Sequence, residues 1–228
     1  MRVREEFSRY ASVYGMHNVI QAKVAEKLVT DTQAEAPKRI LDLGCGSGTL
    51  FSQIDWEVES FTGVDFSQTM LDYHPRSSNV TLMLGDFNDP SLFEKLSGLH
   101  YDRIYSASAL QWADNLDTIF QSISNLHSSV SLAIFTSGTF KTLYETAGLS
   151  PILKSADEVT RIANRHFSAE YEIVRYVLEF DTVREMFRYI KRSGVSGGRR
   201  VLDVAQTKAL MREYPLDYLE FEVVFITS

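Results

Sequence analysis

Short apolar runs alternate with amphipathic segments along the first two thirds of the chain. The apolar runs, which have the length of buried strands, lie at 39–43, 60–64, 80–84, 101–106 and 130–135. The segments between them have helical spacing and lie at 48–54, 67–73, 90–96 and 116–126. Strands that alternate with helices are typical of a parallel sheet covered by helices on both faces. The pattern therefore predicts an α/β fold.

The pattern changes after residue 135. Helical spacing continues at 140–148, 156–164, 182–193 and 201–213, with two further strands at 171–180 and 218–226. Before the first strand, apolar positions from residue 7 to about 30 fit two helices around Gly15. We therefore expect one domain, in which a doubly wound sheet carries additional helices at both ends of the chain.

Three glycines at alternate positions follow the first predicted strand, at Gly44, Gly46 and Gly48. Glycine permits a sharp turn and lets a ligand approach main-chain N–H groups that a Cβ would shield. Such a turn also occurs for packing reasons alone. Asp65 ends the second strand about 20 residues further on, where related folds place a ribose-binding carboxylate. The two features together predict a nucleotide-cofactor site.

An acidic residue also follows the third predicted strand, in Gly85-Asp86-Phe87. Open α/β sheets bind ligands at the carboxyl ends of their strands, so Asp86 is a further candidate for the cofactor site. Its alternative role is to cap the helix at 90–96, but Asp89 lies closer to the start of that helix.

The spacing of the glycines helps to separate two classes of cofactor. The loop reads G-x-G-x-G rather than G-x-G-x-x-G. A dinucleotide has a pyrophosphate for a helix N-terminus to hold, whereas S-adenosylmethionine has none and is held through its amino-acid end, ribose and adenine. A second acid after the third strand suits adenine recognition, so the pattern favours S-adenosylmethionine.

Composition excludes several classes of protein. The chain has 228 residues and a net charge of −7, which argues against general nucleic-acid binding. It lacks an apolar run of about 18 residues, and its first residues lack the apolar core of a signal peptide, so we expect a cytoplasmic protein with no membrane contact. Cys45 is the single cysteine, read as a small residue that fits the loop rather than as a nucleophile, and the five histidines lack ligand spacing. We expect no metal.

A local basic patch interrupts this acidic chain between residues 184 and 200. It contains a single acid, Glu185, and six bases, Arg184, Arg188, Lys191, Arg192, Arg199 and Arg200. Positions 188, 191 and 192 share one helical face, so they can form a cluster that holds a substrate carboxylate. The patch can also dock an acidic partner, or it can simply be a solvated face.

The chain resembles the class I S-adenosylmethionine-dependent methyltransferases over residues of about 35 to 135. The matching motifs are the 41–48 loop, the turn from Gly63 to Ser67, Met70, and Gly85-Asp86-Phe87. The turn before the fifth strand departs from that family, because it reads His127-Ser128-Ser129-Val130 without Pro-Gly-Gly. The resemblance implies a Rossmann-like, mostly parallel sheet of seven strands with an antiparallel last strand, helices on both faces and a small helical lid. It also implies cofactor contacts from Tyr14, Gln21, Gly44, Cys45, Gly46, Asp65, Phe66, Met70, Asp86, Phe87, Ser106 and Leu110.

Segments outside that core are similar to the biotin-synthesis methyltransferases that act on malonyl-acyl carrier protein. These segments are the N-terminal apolar pattern, Ala109-Leu110-Gln111-Trp112, 135–145 and 189–195, where Val195 replaces a usual alanine. The resemblance implies methyl transfer to the malonyl carboxylate, with S-adenosylhomocysteine as product and a carrier bearing malonyl-phosphopantetheine, or coenzyme A, as partner. Substrate contacts are then expected from Lys191, Arg188, Trp112 and Tyr10, although core packing also explains the aromatic residues.

This chemistry requires no general base, because a carboxylate with a pKa of roughly 3 to 4.5 is already ionised at pH 7. Three alternatives stay open at this point. The chain can methylate another small acid of the aconitate type, bind S-adenosylmethionine without turnover as a docking module, or be a nicotinamide-dependent oxidoreductase.

We divide the single domain into four segments on these grounds. Residues 1–33 are a helical cover, 34–137 the cofactor-binding core, 138–200 a substrate or lid region, and 201–228 the final helix and strand.

Overall fold

A computed structural model describes residues 19–192 and 204–228 of the chain. Its strands are β1 (Arg39–Leu43), β2 (Ser60–Asp65), β3 (Val80–Leu84), β4 (Arg103–Ala107), β5 (Ser129–Phe135), β6 (Glu170–Glu179) and β7 (Tyr218–Thr227). Its helices are α1 (Val19–Thr32), α2 (Gln68–Tyr73), α3 (Pro90–Leu96), α4 (Leu116–Ser124), α5 (Lys141–Thr146), α6 (Ala156–Ala163), α7 (Val183–Arg192) and α8 (Val204–Glu213). Two short 3₁₀ turns lie at Phe51–Gln53 and Leu110–Trp112.

The strands form one seven-stranded sheet in the order β3-β2-β1-β4-β5-β7-β6. The first five strands pair in parallel, and β7 runs antiparallel to both β5 and β6. The predicted mostly parallel sheet with an antiparallel last strand is therefore confirmed. The strand order reverses direction at β1 and β4, and a sheet of this kind binds ligands in the crevice at that point.

Two apolar cores cover the two faces of the sheet. Helices α3, α4 and α6 pack on one face, where Leu96, Phe120 and Ile162 are buried among the side chains of β1, β4 and β5. Helices α1 and α7 pack on the other face, through residues such as Leu28 and Met186. Strands β1 and β4 are almost continuously buried because both of their faces are covered.

Short polar side chains begin several of the helices. Ser67 accepts a hydrogen bond from the N–H of Met70 at the start of α2, and Asp89 accepts one from Ser91 at the start of α3. Asp89 rather than Asp86 therefore caps α3, as the sequence indicates.

One predicted helix is wrong. The segment 48–54 forms a turn followed by the 3₁₀ turn Phe51–Gln53. Gly48 has a φ of +86°, outside the right-handed helical region, so a helix cannot run through it. Its carbonyl accepts from both the N–H and the hydroxyl of Ser52, each over 2.9 Å, which closes a single turn. The hydrogen bonds that follow join residues three apart, which tightens the chain into a 3₁₀ turn. The other predicted elements end within two residues of the observed ones where the structure describes both ends.

Parts of the prediction lie outside the described residues. These are the first of the two N-terminal helices, the end of the helix at 182–193 and the beginning of the one at 201–213. In the described part of the chain, no helix is long and apolar enough to span a membrane. Residues 19–192 and 204–228 also contain no group of three His, Cys, Asp or Glu side chains placed to hold a metal ion.

Candidate functional site

A cleft lies at the carboxyl edge of β1, β2 and β4, where the strand order reverses. The space between its atoms amounts to about 810 Å³, open solvent at the mouth included. It is lined by eight of the predicted cofactor residues, Gln21, Gly44, Cys45, Gly46, Asp65, Phe66, Met70 and Phe87. The predicted substrate residue Trp112 also lines it.

The glycine loop after β1 is fixed to the end of β2. The N–H groups of Gly44 and Cys45 both donate to the carbonyl of Val64, over 2.8 and 3.0 Å. Gly44 has a φ of +79°, and a Cβ on it would lie 2.3 Å from the Cβ of Ala109. Glycine is therefore required at position 44 by its backbone conformation and by its close approach to Ala109.

Asp65 connects the glycine loop to the turn after β2. One carboxylate oxygen accepts from the N–H of Gly46 at 2.9 Å, and the other accepts from the N–H of Ser67 at 2.8 Å. Burial raises the pKa of Asp65 above its ordinary value, although these two hydrogen bonds act in the opposite direction. Each carboxylate oxygen has a second lone pair, so Asp65 can still accept a hydrogen bond from a ligand hydroxyl.

Three other polar side chains line the cleft with buried oxygen atoms that have no hydrogen-bond partner among the described residues. They are both carboxylate oxygens of Asp42, the amide oxygen of Gln21 and the hydroxyl of Ser108. Ser108 also has a φ of +63°, which is rare for a residue with a side chain. A buried polar atom without a partner is unfavourable, so these acceptors indicate a polar ligand in the cleft.

Asp42 is the ionisable group among these three, and its pKa is strongly shifted. Its residue is 1% exposed, and burial together with the nearby charge of Asp65 raises its pKa from 3.8 to about 8. Burial also raises the pKa of the neighbouring Cys45 thiol, which disfavours the thiolate form. A cationic group placed beside Asp42 would restore its charged form.

Three predicted cofactor residues do not line the cleft. The hydroxyl of Ser106 donates to the carbonyl of Leu43 at 2.6 Å, and Leu110 is buried in the apolar core. The carboxylate of Asp86 instead accepts hydrogen bonds from the backbone and side-chain nitrogens of Asn88. Strand β4 ends at Ala107, and the residues that line the cleft here are this last strand residue and the two that follow it, Ser108 and Ala109.

Several predicted site residues cannot be placed against the cleft. Tyr10 and Tyr14 lie outside the described residues, as do Arg199, Arg200 and the side chain of Lys191. Arg188 is exposed on α7 and is not among the described residues that line the cleft.

Asp42 and Ser108 are two buried polar residues of the cleft that were not named among the predicted cofactor contacts. Asp42 is an acid within an otherwise apolar strand, Ile40-Leu41-Asp42-Leu43, and that exception in the pattern was the available signal. Ser108 carried no such signal, because its position depends on where β4 ends and on the left-handed turn that follows.

A second, smaller cavity adjoins the cleft at Trp112, which lines both. The space between its atoms amounts to about 280 Å³, open solvent included. The other walls come from the loop after β5, from α5 and from 151–153, and consist of Ser137, Thr139, Phe140, Tyr144, Pro151, Ile152 and Leu153.

The side chain of His74 lies next to Gly48, the last glycine of the glycine loop. Its ring packs against Phe51 and Phe61, with centroids 5.4 and 5.6 Å away, and a Cβ on Gly48 would lie 3.1 Å from its Nε2. Nδ1 lies 2.8 Å from the carbonyl of Pro75, and a carbonyl can only accept, so Nδ1 carries the proton and Nε2 does not. Burial lowers the pKa of His74 below its ordinary value of 6.5.

We expect His74 to make the protein less stable in mild acid. The unfolded chain binds a proton at this histidine below pH 6.5, whereas the folded chain resists it, so the free energy of unfolding falls as the pH drops below 6.5. The slope from one such proton is at most about 1.4 kcal/mol per pH unit. Urea denaturation between pH 5.5 and 7.5 measures it, and His74→Phe should flatten the curve. His100→Gln, a change at an exposed histidine, is the control, and an equal slope in wild type and His74→Phe would contradict the assignment.

Comparison with known proteins identifies the family. Residues 40–128 match the family model described as a methyltransferase domain. The chain is a class I methyltransferase that uses S-adenosylmethionine. This methyltransferase is 29% identical to a malonyl-[acyl-carrier protein] O-methyltransferase from Acetivibrio thermocellus, over 97% of this chain and 91% of that protein. A protein of the same name from Halalkalibacterium halodurans is 31% identical over 65% of this chain and 60% of its own length.

A solved structure has the same fold. The YcgJ protein from Bacillus subtilis superposes with a TM-score of 0.59 and 13% identity, over 88% of this methyltransferase and 97% of that chain. The predicted Rossmann-like methyltransferase fold and the predicted cofactor are thus both confirmed. The cleft fits S-adenosylmethionine chemically, because it presents buried oxygen acceptors without partners beside a wall of apolar side chains.

Proposed function

We propose that this methyltransferase methylates the free carboxylate of a malonyl thioester carried on an acyl carrier protein. The observation that carries the proposal is the likeness to malonyl-[acyl-carrier protein] O-methyltransferases along nearly the whole chain, which extends well beyond the cofactor-binding part. The relatives are distant, at 29% identity for the longest match quoted above.

We propose the following contacts to the cofactor. Asp42 accepts from the ammonium of the methionine part, because its buried carboxylate needs a cation to hold its charge. Gln21 and Ser108 supply further acceptors, and Asp65 accepts from a ribose hydroxyl. The adenine lies between the apolar side chains at the other end of the cleft, Phe66, Met70 and Phe87.

The bound cofactor supplies a methyl group on a positively charged sulfur, which a nucleophilic oxygen can attack. The ionisable side chains of the described residues that line the cleft are Asp42, Cys45 and Asp65. A carboxylate acceptor needs none of them as a base, because it is ionised at pH 7. The protein then has to align the two reactants and exclude water. Alignment alone can lower the free-energy barrier of methyl transfer by on the order of 7 to 11 kcal/mol.

We propose that Trp112 forms the wall of the cleft on the acceptor side. It is partly buried and ends the 3₁₀ turn that follows β4, next to Ser108 and Ala109. The roles of Arg188 and Lys191 toward the substrate carboxylate, of the basic patch toward an acyl carrier protein, and the cytoplasmic location remain predictions.

Product formation by the purified chain tests the proposal. The chain is incubated with S-adenosylmethionine and, in parallel, with malonyl-acyl carrier protein, malonyl-coenzyme A, malonate and aconitate. S-adenosylhomocysteine release is measured, and the methyl ester is identified by mass spectrometry. We expect turnover of the malonyl thioesters. Turnover of a free acid alone would instead indicate an aconitate-type enzyme, and tight S-adenosylhomocysteine binding without turnover of any acceptor would indicate a docking module.

A further inference from the structure

Ser108, in the turn after β4, has a backbone conformation that its neighbours must hold in place. Its φ is +63°, and its hydroxyl is buried in the wall of the cleft without a hydrogen-bond partner among the described residues. A residue with a side chain rarely adopts this conformation, because its Cβ then crowds the following carbonyl oxygen. Such a conformation persists only where surrounding contacts fix it, so those contacts also fix the hydroxyl in the cleft.

Two hydrogen bonds fix the backbone of Ser108 on its two sides. Its N–H donates to the carbonyl of Ala133 in β5 over 3.1 Å. Its carbonyl accepts from the side-chain amide nitrogen Nε2 of Gln111 over 2.6 Å. A carbonyl can only accept, so the nitrogen of the Gln111 amide, and not its oxygen, faces Ser108. The sheet therefore holds one side of Ser108, and a single side chain holds the other.

Gln111 lies in the 3₁₀ turn Leu110–Trp112. Leu110 packs in the apolar core and Trp112 lines the cleft, whereas Gln111 is not among the residues that line it. The amide oxygen Oε1 of Gln111 is buried and has no partner among the described residues. A buried acceptor without a partner is unfavourable, and an apolar side chain of similar length would avoid it. The hydrogen bond to Ser108 gives a reason for glutamine at this position.

We infer that Gln111 is a positioning residue for cofactor binding. Its amide holds Ser108 in the left-handed conformation, which keeps the Ser108 hydroxyl in the cleft as an acceptor for the cofactor. Gln111 acts through Ser108 and does not itself line the cleft. The inference rests on the proposed contact between Ser108 and the cofactor, and it does not depend on which acceptor is methylated.

Gln111→Met removes the hydrogen bond and keeps the length of the side chain. We expect the released turn to relax toward negative φ, which moves the Ser108 hydroxyl and raises the Kd of S-adenosylhomocysteine about tenfold. Calorimetric titration measures the Kd, and thermal unfolding without ligand checks that the variant folds. Gln121→Met is the matched control, because Gln121 is exposed on α4 and its amide donates to Asn125 over 3.1 Å, away from the cleft. Its Kd should equal that of the wild type.

Gln111→Glu tests the hydrogen bond itself through pH. A carboxylate cannot donate to the Ser108 carbonyl, whereas a protonated carboxyl can. Burial and the facing carbonyl oxygen raise the pKa of the new carboxyl. The Kd of this variant divided by the wild-type Kd should therefore fall at least about threefold from pH 8 to pH 6, and the same ratio for Gln111→Met should stay constant. A constant ratio for both variants would contradict the hydrogen bond, because a role in packing alone does not depend on this proton.

A double-mutant cycle tests whether Gln111 acts through the Ser108 hydroxyl. Ser108→Ala removes the hydroxyl and should itself raise the Kd of S-adenosylhomocysteine. Adding Gln111→Met to Ser108→Ala should then raise the Kd by no more than about twofold, because the group that Gln111 positions is already absent.

The outcomes separate the inference from the proposals on which it rests. If Gln111→Met leaves the Kd unchanged, or raises it equally with and without the hydroxyl, the inference is overturned and the contact of Ser108 stands. If Ser108→Ala binds as the wild type does, the proposed contact of Ser108 fails and the inference fails with it. The assay contains no methyl acceptor, so failure to methylate a malonyl thioester would overturn the proposed function alone.

Discussion

Replacing Gly44 by alanine is expected to weaken S-adenosylhomocysteine binding by at least about tenfold and to destabilise the fold. The new Cβ would lie 2.3 Å from the Cβ of Ala109, and neither atom can move without its backbone. The left-handed φ of +79° adds roughly 1–2 kcal/mol, and the overpacking adds roughly 1–3 kcal/mol. Relief of the contact moves the glycine loop away from Val64, so the floor of the cleft changes shape. Calorimetric titration and thermal unfolding measure the two effects.

Two further variants separate the contact from the backbone strain. Gly148 has a φ of +63° and open space around its would-be Cβ, so Gly148→Ala introduces strain without a clash and outside the cleft. It should cost roughly 1–2 kcal/mol and leave binding unchanged. The double variant Gly44→Ala/Ala109→Gly removes the facing Cβ, and it should recover most of the binding. If the double variant binds as poorly as Gly44→Ala, the close approach to Ala109 is not the reason for this glycine.

The sequence is sufficient for features that depend on local chemistry and on where strands end. The order of strands and helices follows from the spacing of apolar positions, and Asp65 lies in the cleft because it ends β2 beside the glycine loop. Asp89 caps α3 because it directly precedes Pro90, which begins the helix. Each of these conclusions requires contacts between residues close in sequence, or the common edge of a parallel sheet.

The features that escaped prediction depend on contacts between distant segments or on the exact end of an element. Asp86 follows its strand as Asp65 does, but Asn88 occupies its carboxylate within a local turn. Ser106 and Ser108 are indistinguishable in sequence, and only the end of β4 at residue 107 decides which of them reaches the cleft. The second cavity is lined by Trp112 and by side chains some 25 to 41 positions further along the chain, so no local sequence pattern predicts it.

Replacing Asp42 by asparagine is expected to stabilise the fold while it weakens cofactor binding. The pKa of Asp42 is raised from 3.8 to about 8, so the folded chain holds a proton that the unfolded chain releases between these values. Wild-type stability therefore falls as the pH rises through this window, by up to about 1.4 kcal/mol per unit. Asparagine has no such proton, so at pH 7 its free energy of unfolding should be higher by roughly 2–4 kcal/mol, and this gain should shrink toward pH 4.

The same substitution should change the pH dependence of binding. An ammonium group binds the ionised carboxylate, so the wild-type affinity for S-adenosylhomocysteine should increase about tenfold per unit between pH 6 and 7 and level off near pH 8. The Asp42→Asn variant should bind at least about tenfold more weakly at pH 8, with little dependence on pH. The two proteins should therefore differ least at pH 6, where most of the wild-type carboxylate is protonated.

A ligand without the amino-acid end provides the control for this assignment. 5′-Methylthioadenosine keeps the adenine and ribose but has no ammonium, so its affinity should be the same in both proteins and independent of pH over this range. If Asp42→Asn weakens both ligands equally, the carboxylate shapes the cleft instead of binding the ammonium. If it weakens S-adenosylhomocysteine alone and stabilises the empty protein, then the unfavourable burial of Asp42 is retained because it binds the charged end of the cofactor.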